Sequence, residues 1–524
     1  MIMENTEFGR VEVKTLPLPG GLGSDVIGTY TYSGRVLVAV RQPEKGRDWY
    51  RVFTVNDDGS DICELFSGEI PQKPGANGIR WMCFADNRRV LLGDYVLECS
   101  PDLDYCESSE LIDVVFPPEI SALPGLFMRW SEPIIAPDNE HVCFSSLTAG
   151  SAFNFLGRLV RGESAYVMED VCVVSSVNSF EPDPAAPGFY RQKTQRGGEV
   201  KQFVRGGRGI TLAGGGKSIS ESCLQMLDSE DVSFITDTPG YEETAILSPN
   251  EVYAVCMSPR FSPRTDAGVL GVVPLSGDLA TRGKYLNVLY QYAIAGVRSH
   301  RSGNIGPALI DVERSMKEGR GYMGVDLSDP EDKWVYYSPM SWHPDSTRAL
   351  WNERTRLNAG PVQSRLRICR LMDIAPSEPV PAGRTPDSRD VPYGEPIEAA
   401  LRQDAPVFPL KVKGRSGTVT NLPVEGRARE TRYEHYSEDG KTFYNGFIRV
   451  NAPTNMFRPG KTTIESDLTV TGAHQGQMKL RLELHSDERF QIYPDFSADE
   501  NGQPKSFGFA EYDGLRREVS ELAP

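Results

Sequence analysis

The stretch Ile134-Ile135-Ala136-Pro137-Asp138-Asn139, running into Val142-Cys143-Phe144, decides the fold. An apolar run, a Pro-Asp-Asn turn and a second apolar run make a β-hairpin, because a short carboxylate or amide caps backbone amides at the turn. The phrase recurs. Trp81-Met82-Cys83-Phe84-Ala85-Asp86-Asn87 precedes Val90-Leu91-Leu92, and Ile246-Leu247-Ser248-Pro249-Asn250 precedes Val252-Tyr253-Ala254-Val255. Ser341-Trp342-His343-Pro344-Asp345 precedes Ala349-Leu350-Trp351, and Tyr436-Ser437-Glu438-Asp439-Gly440 precedes Thr442-Phe443-Tyr444. Successive Asp or Asn anchors are 52, 112, 95 and 94 residues apart, the last three intervals near twice the first. A degenerate copy, Tyr32-Ser33-Gly34 before Val36-Leu37-Val38-Ala39-Val40, puts Ser33 53 residues ahead of Asp86. A period of about 50 residues holding several short strands is that of a propeller, whose four-stranded blades must stack to bury both faces. The doubled intervals then predict blades with eroded turns. The fold class expected is all-β, a β-propeller of seven blades with eight as the competitor, and extra C-terminal β-strands.

On this reading residues 1–24 lead in and 25–450 carry the blades. Residues 451–524 either close the ring or form a small appended β unit. Six prolines between 375 and 396 predict a long exposed connection. Tyr285 to Ala293 reads as helix or strand, its apolar run being too short to decide. Gly214-Gly215-Gly216-Lys217-Ser218 is superficially a phosphate loop, but Thr211 stands where that motif needs glycine, and a hairpin turn is the better reading.

Composition bounds the partners. A net charge of −16 argues against nucleic acid or an anionic membrane surface, and no apolar run reaches a membrane span. Nine scattered cysteines without a C-x-x-C pair, and Glu4, Glu7 and Glu12 where a signal peptide would be basic and apolar, predict reduced thiols and a cytoplasmic location.

The hairpin phrase resembles the TolB-like, WD40-like repeat family of β-propellers, whose blades carry Trp-Ser-Pro-Asp-Gly at the strand end. The best match runs from Ile235 to Asn250 and includes Ala245-Ile246-Leu247-Ser248-Pro249-Asn250. The resemblance covers scattered pieces from about 25 to 450. It implies the fold, and little about activity, because that fold hosts transport accessories, non-catalytic peptidase domains and lyases.

The anchors also set a register, since side chains alternate faces along a strand. Three residues before each anchor stand Cys83, Ile135, Leu247, Trp342 and Tyr436, which marks a packing face. The opposite parity holds Arg80, Glu132, His343, Tyr433 and His435, and further out Trp130, Glu242 and Tyr337. The resemblance implies that this strand lines the central channel, so these mixed groups are expected at its mouth. His343 and His435 are the candidate bases and Tyr433 the proton donor. Arg80, Trp130, Glu132, Glu242 and Tyr337 are the candidate substrate-binding residues. Each has a structural alternative: a hydrogen-bonded histidine in a turn, or an Arg80–Glu132 pair across blades. Asp86, Asp138, Asp345 and Asp439 read as turn formers. His141, His474 and His485 read as surface residues, and His300 as part of a polar loop able to fold over the channel.

No Gly-x-Ser-x-Gly elbow, His-Glu-x-x-His helix or Cys/His metal signature is present. No cofactor is therefore expected, although six histidines leave room for a divalent metal held between blades. Two functions remain open. One is an enzyme acting by acid–base chemistry on a small or carbohydrate-like molecule at the channel mouth, as a lyase, isomerase or hydrolase. The other is a non-catalytic ligand-binding or protein-interaction scaffold.

Overall fold

A computed structural model describes residues 1–20, 25–148, 152–214, 220–262, 268–331, 333–402, 408–453, 459–488 and 491–523. The expected hairpins form. Their Asp and Asn side chains cap the turns: Asp138 Oδ1 accepts from the amides of Glu140 and His141 at 2.9 and 3.0 Å. Asp86, Asn250, Asp345 and Asp439 do the same for the amides two residues on. The residues three before each anchor are all buried.

Six four-stranded antiparallel meanders follow one another among the described residues. Blade 1 is Val26–Tyr30, Val36–Arg41, Trp49–Val55 and Cys63–Glu69. Blade 2 begins at Met82–Cys83, blade 3 at Leu126–Ile135, blade 4 at Gly198–Val204, blade 5 at Thr244–Leu247 and blade 6 at Trp334–Trp342. The chain's own N-terminus completes blade 6, where Gly9–Thr15 pairs with Ser364–Leu371 and Ile2–Asn5 adds a further strand. One buried apolar cluster fills each junction, from Val52 with Trp81 between blades 1 and 2 to Val38 with Ile368 between blades 6 and 1. Six junctions for six blades close the ring, and the propeller fold is as expected.

The blade count and the boundary depart from the sequence reading. The 95-residue interval between Asn250 and Asp345 hides no blade; residues 258–307 are inserted between the second and third strands of blade 5. The Ser-Glu-Asp-Gly turn at 437–440 is ordinary hairpin chemistry in a different sheet, so the blades end at Leu371 and not near 450. From Leu410 to Glu518 a separate curved sheet forms, antiparallel throughout apart from one parallel contact, Tyr190 beside Val412. The insertion runs through helix Arg282–Leu289, a π-helical stretch Tyr290–Ala295 and helix Gly296–Ser299. Val269, Leu270, Tyr285, Leu289 and Tyr292 from it pack into the core of that sheet. Tyr292 donates to the Leu522 carbonyl at 2.7 Å and Arg301 to that of Ile492 at 2.8 Å. The C-terminal unit is thus appended and wraps the insertion.

The proline-rich connection is docked. It crosses the turn end of the propeller against the chain direction. Ser377 donates to the Asp345 carbonyl (blade 6), Val380 to that of Pro249 (blade 5) and Gly383 to that of Gly206 (blade 4), at 3.1, 2.8 and 2.8 Å. Asp387 then meets His141 of blade 3 at 3.2 Å, and Glu395–Pro396 adds to the outer edge of that blade. His141 is therefore buried, not a surface residue, with Asp138 at 2.8 Å on its other nitrogen. Burial opposes its charge, but the two carboxylates outweigh this and hold the imidazole above its ordinary value.

A histidine whose folded value is raised stabilises below its unfolded value and loses that contribution as pH rises through the folded one. Thermal unfolding followed between pH 5.5 and 8.5 should show the native protein losing stability above about pH 6.5. His141→Asn should flatten that slope and cost about 1–3 kcal/mol at the acid end, by leaving Asp387 and Asp138 without their shared partner.

Gly215 to Ser218 of the glycine-rich segment lie outside the described residues. No helix among the described residues is long and apolar enough to cross a membrane. None of the nine cysteines is in a disulfide, and Cys83, Cys143 and Cys256 are buried in the blades.

Candidate axial site

Three of the inner strands carry a bulge at the same depth. In blade 3 the register slips on both sides of Ser131, and Glu132 adopts φ +49°. In blade 4 the slip falls between Val200 and Gln202, at Lys201; in blade 6 it falls between Tyr337 and Met340. A bulge turns a side chain away from the alternation of its strand. Here the result is convergence on the propeller axis.

Arg80, on the segment entering blade 2, pairs with Glu132 of blade 3 at 2.6 Å. The Lys201 ammonium of blade 4 lies 3.1 Å from Glu199, 3.8 Å from Glu132 and 3.8 Å from Glu243 at the start of blade 5. Glu199 also accepts from Ser131 at 2.7 Å. Arg298 of the insertion stacks 4.4 Å over the ring of Tyr337 from blade 6, and Arg354 sits 5.1 Å from the same ring. Tyr241 and Tyr290 meet edge to face at 5.9 Å nearby, close enough to Glu243 for its charge to bear on both.

The electrostatics of Glu199 and Glu243 differ. Burial opposes the charge of Lys201, but Glu132, Glu199 and Glu243 together hold it above the usual lysine value. Glu199 is held below the usual carboxylate range, the attraction of Lys201 and the Ser131 hydroxyl outweighing burial. Glu243 is raised, because burial dominates and Lys201 offsets only part of it. Its Oε2 has no hydrogen-bond partner among the described residues, and the same holds for Nε of Arg80 and the Tyr336 hydroxyl.

Of the candidates from sequence, Arg80 and Glu132 are paired across blades, and Tyr337 lies against Arg298 and Arg354. The other candidates lie elsewhere. Trp130 shares parity with Glu132, but the intervening bulge turns it into the blade 2–3 core against Gly93. Glu242 is buried behind the axis, paired with Arg260 at 3.2 Å and accepting from Thr238 at 2.5 Å. His343 sits at the turn end, the opposite end of the blade from the cluster. It is edge-on to Tyr30 at 5.3 Å, with Nδ1 2.8 Å from Asp345, and burial and Arg348 depress its basicity. It is a turn histidine. Tyr433 and His435 belong to the C-terminal sheet. Tyr433 is buried beside Tyr444 at 5.7 Å, burial pushing its phenol well above the ordinary value. His435 is exposed at φ +48° and stacked 4.5 Å from Phe443. His300 packs 5.1 Å from Tyr493 of the C-terminal unit.

The residues missed from sequence are Lys201, Glu199, Glu243 and Arg298. The one His/carboxylate group with ligand spacing among the described residues, Glu483, His485 and Asp495, holds Lys461 at 2.6 Å and Lys505 at 2.9 Å on its carboxylates.

No protein-family profile and no curated protein matches the chain. Among solved structures it is similar to TolB from Acinetobacter baumannii, at 13% identity over 66% of this chain and 65% of that one, TM-score 0.29. It is also similar to Kuenenia stuttgartiensis hydrazine synthase, at 10% identity over 64% and 77%, TM-score 0.30. A third is prolyl oligopeptidase B from Galerina marginata, at 8% identity over 79% and 47%, TM-score 0.27. The chain therefore spans less than two thirds of the first and under half of the third.

Proposed function

We propose that the axial cluster is the site of an enzyme that moves a proton on a small polar molecule, with Glu243 as the acid–base group. The observation carrying this reading is the divergence of two carboxylates around one ammonium. Glu199 is held below the usual carboxylate range, while burial raises Glu243 above it. Its free Oε2 is the atom that would do so. Lys201 would stabilise negative charge developing next to it, and the tyrosines would exclude water. Elimination, isomerisation and hydrolysis all need such a step.

The test is proton exchange. Small hydroxy acids, keto acids and sugars are incubated with the protein in D2O and followed by NMR. A molecule that is consumed or deuterated by the native chain should react about 100-fold more slowly with Glu243→Gln. Equal rates in the two proteins would remove Glu243 from the mechanism.

The non-catalytic reading keeps one observation of its own. Arg80 and Lys201 are already balanced by carboxylates. Two surface clefts of about 290 and 390 Å³ lie along the N-terminal seam beside Lys14. On that reading the cluster plugs the ring, and native protein and Glu243→Gln alike would leave every compound unchanged.

A further inference from the structure

Arg298 differs from the other cations of the axial cluster in what it touches. Arg80 has Glu132 at 2.6 Å, Lys201 has Glu199 at 3.1 Å, and Arg354 has Asp25. Arg298 has no carboxylate within 4.0 Å among the described residues. Its hydrogen-bond acceptor is the Met257 sulfur at 3.8 Å, and Nε has none among the described residues. A thioether is a weak acceptor, whereas a guanidinium presents five donors in a planar fork built for a carboxylate. A part-buried arginine left this way retains a desolvation cost that a bound anion would offset.

The side chain is also held in place. Tyr337 lies under its guanidinium at 4.4 Å, and Arg354 lies 5.1 Å from the same ring. Helix Gly296–Ser299, which carries Arg298, is anchored through Tyr292 and Arg301 to the C-terminal sheet. Burial opposes the charge of Arg298, but Glu243 and the tyrosines Tyr290, Tyr337 and Tyr336 hold it above its ordinary value, so the cation persists.

We infer that Arg298 anchors a carboxylate, and that the ligand of the axial site is a small organic acid whose reacting carbon lies toward Glu243. The assignment rests on the acid–base reading for the location of the chemistry, and on Arg298 alone for the charge of the ligand. A singly charged acid fits better than a phosphate ester. Three carboxylates already stand in the cluster, and a dianion would add a repulsion that one arginine cannot offset.

The experiment uses the full chain and matched singly charged probes: lactate, glycerate and gluconate against lactamide, glyceramide and gluconamide, by thermal shift and calorimetric titration. At least one acid should raise the melting temperature while its amide does not. Arg298→Gln should abolish that shift and Arg298→Lys should weaken binding by about tenfold, because a point charge replaces the fork. Both variants should melt within about 2 °C of the native protein when no probe is present, Arg298 having no ion pair to lose. Acids and amides behaving alike, no acid binding, or acids binding Arg298→Gln undiminished would each overturn the inference. The two readings fail separately. A neutral amide turned over in a Glu243-dependent way would keep the axial enzyme and remove the carboxylate. An acid bound through Arg298 and indifferent to Glu243→Gln would keep the carboxylate and remove the acid–base role.

Discussion

Removing residues 403–524 is expected to unfold the insertion of blade 5 and strip Arg298 and Tyr290 from the axial site, while the blades themselves persist. Val269, Leu270, Val272, Val273, Tyr285 and Leu289 are all under 5% exposed, and their cover is the C-terminal sheet. Each large apolar side chain returned to water costs about 1.5–3 kcal/mol. The helix Arg282–Leu289 spans only eight residues and cannot hold without its packing. Arg298 would leave Tyr337 with it. Limited proteolysis read by mass spectrometry should cut the truncated chain between about residues 268 and 300 and leave the blade strands intact. Continued protection of that segment would mean that the propeller orders its own insertion.

The second large effect is electrostatic. Lys201 has a side chain only 3% exposed, and Glu132, Glu199 and Glu243 lie within 4 Å of its ammonium. Lys201→Met removes the one cation among the described residues that lies within 4 Å of all three. Breaking a buried ion network from one side costs about 3–5 kcal/mol, because the remaining charges stay desolvated. The pH dependence should also reverse. In the native protein Glu199 is depressed, so its contribution is present above the unfolded value and is lost as pH falls. In Lys201→Met the orphaned carboxylates are raised above about 4.3, bind protons more tightly folded than unfolded, and give stability back on acidification. Melting curves at pH 7.5 and 5 should therefore converge. A variant that loses the same stability at both values would show the cluster to be solvated.

How much of this was legible depends on which residues carried a fixed chemistry. The hairpins were legible because Asp138, Asp86 and Asp345 must cap their turns wherever those turns lie. The blade number was not, because a turn motif records where hairpins are and says nothing about what separates them: the segment between Met257 and Ala308 looks, by length alone, like a missing blade. The Pro-rich segment is the long, mostly exposed connection its prolines predict, but proline does not say that Ser377, Val380 and Gly383 will find carbonyls to bind. At the site, Arg80 and Glu132 were reached by strict alternation from their anchors. Glu199 and Lys201 were out of reach because the turn of blade 4, Arg205-Gly206-Gly207-Arg208, has no Asp to count from and because the bulge breaks the count. Arg298 was out of reach for a different reason: it comes from a helix that no propeller register describes. His343 and His435 drew attention as the usual proton carriers, yet they are held by a turn and a ring face, and the proton step proposed above is assigned to a glutamate.

The first strands of the chain become the last strands of the ring. On a ribosome, Gly9–Thr15 emerges more than three hundred residues before Ser364–Leu371, the partner that will pair with it. Through most of synthesis the nascent protein therefore carries an unpaired β edge, Val11 and Val13 included, that is apolar and free to meet a second nascent chain. Messages truncated before the codon for Leu371 should yield products that aggregate and do not fold in part. Slowing translation should harm yield more than lowering temperature does, for the ring has no closed substructure to wait in.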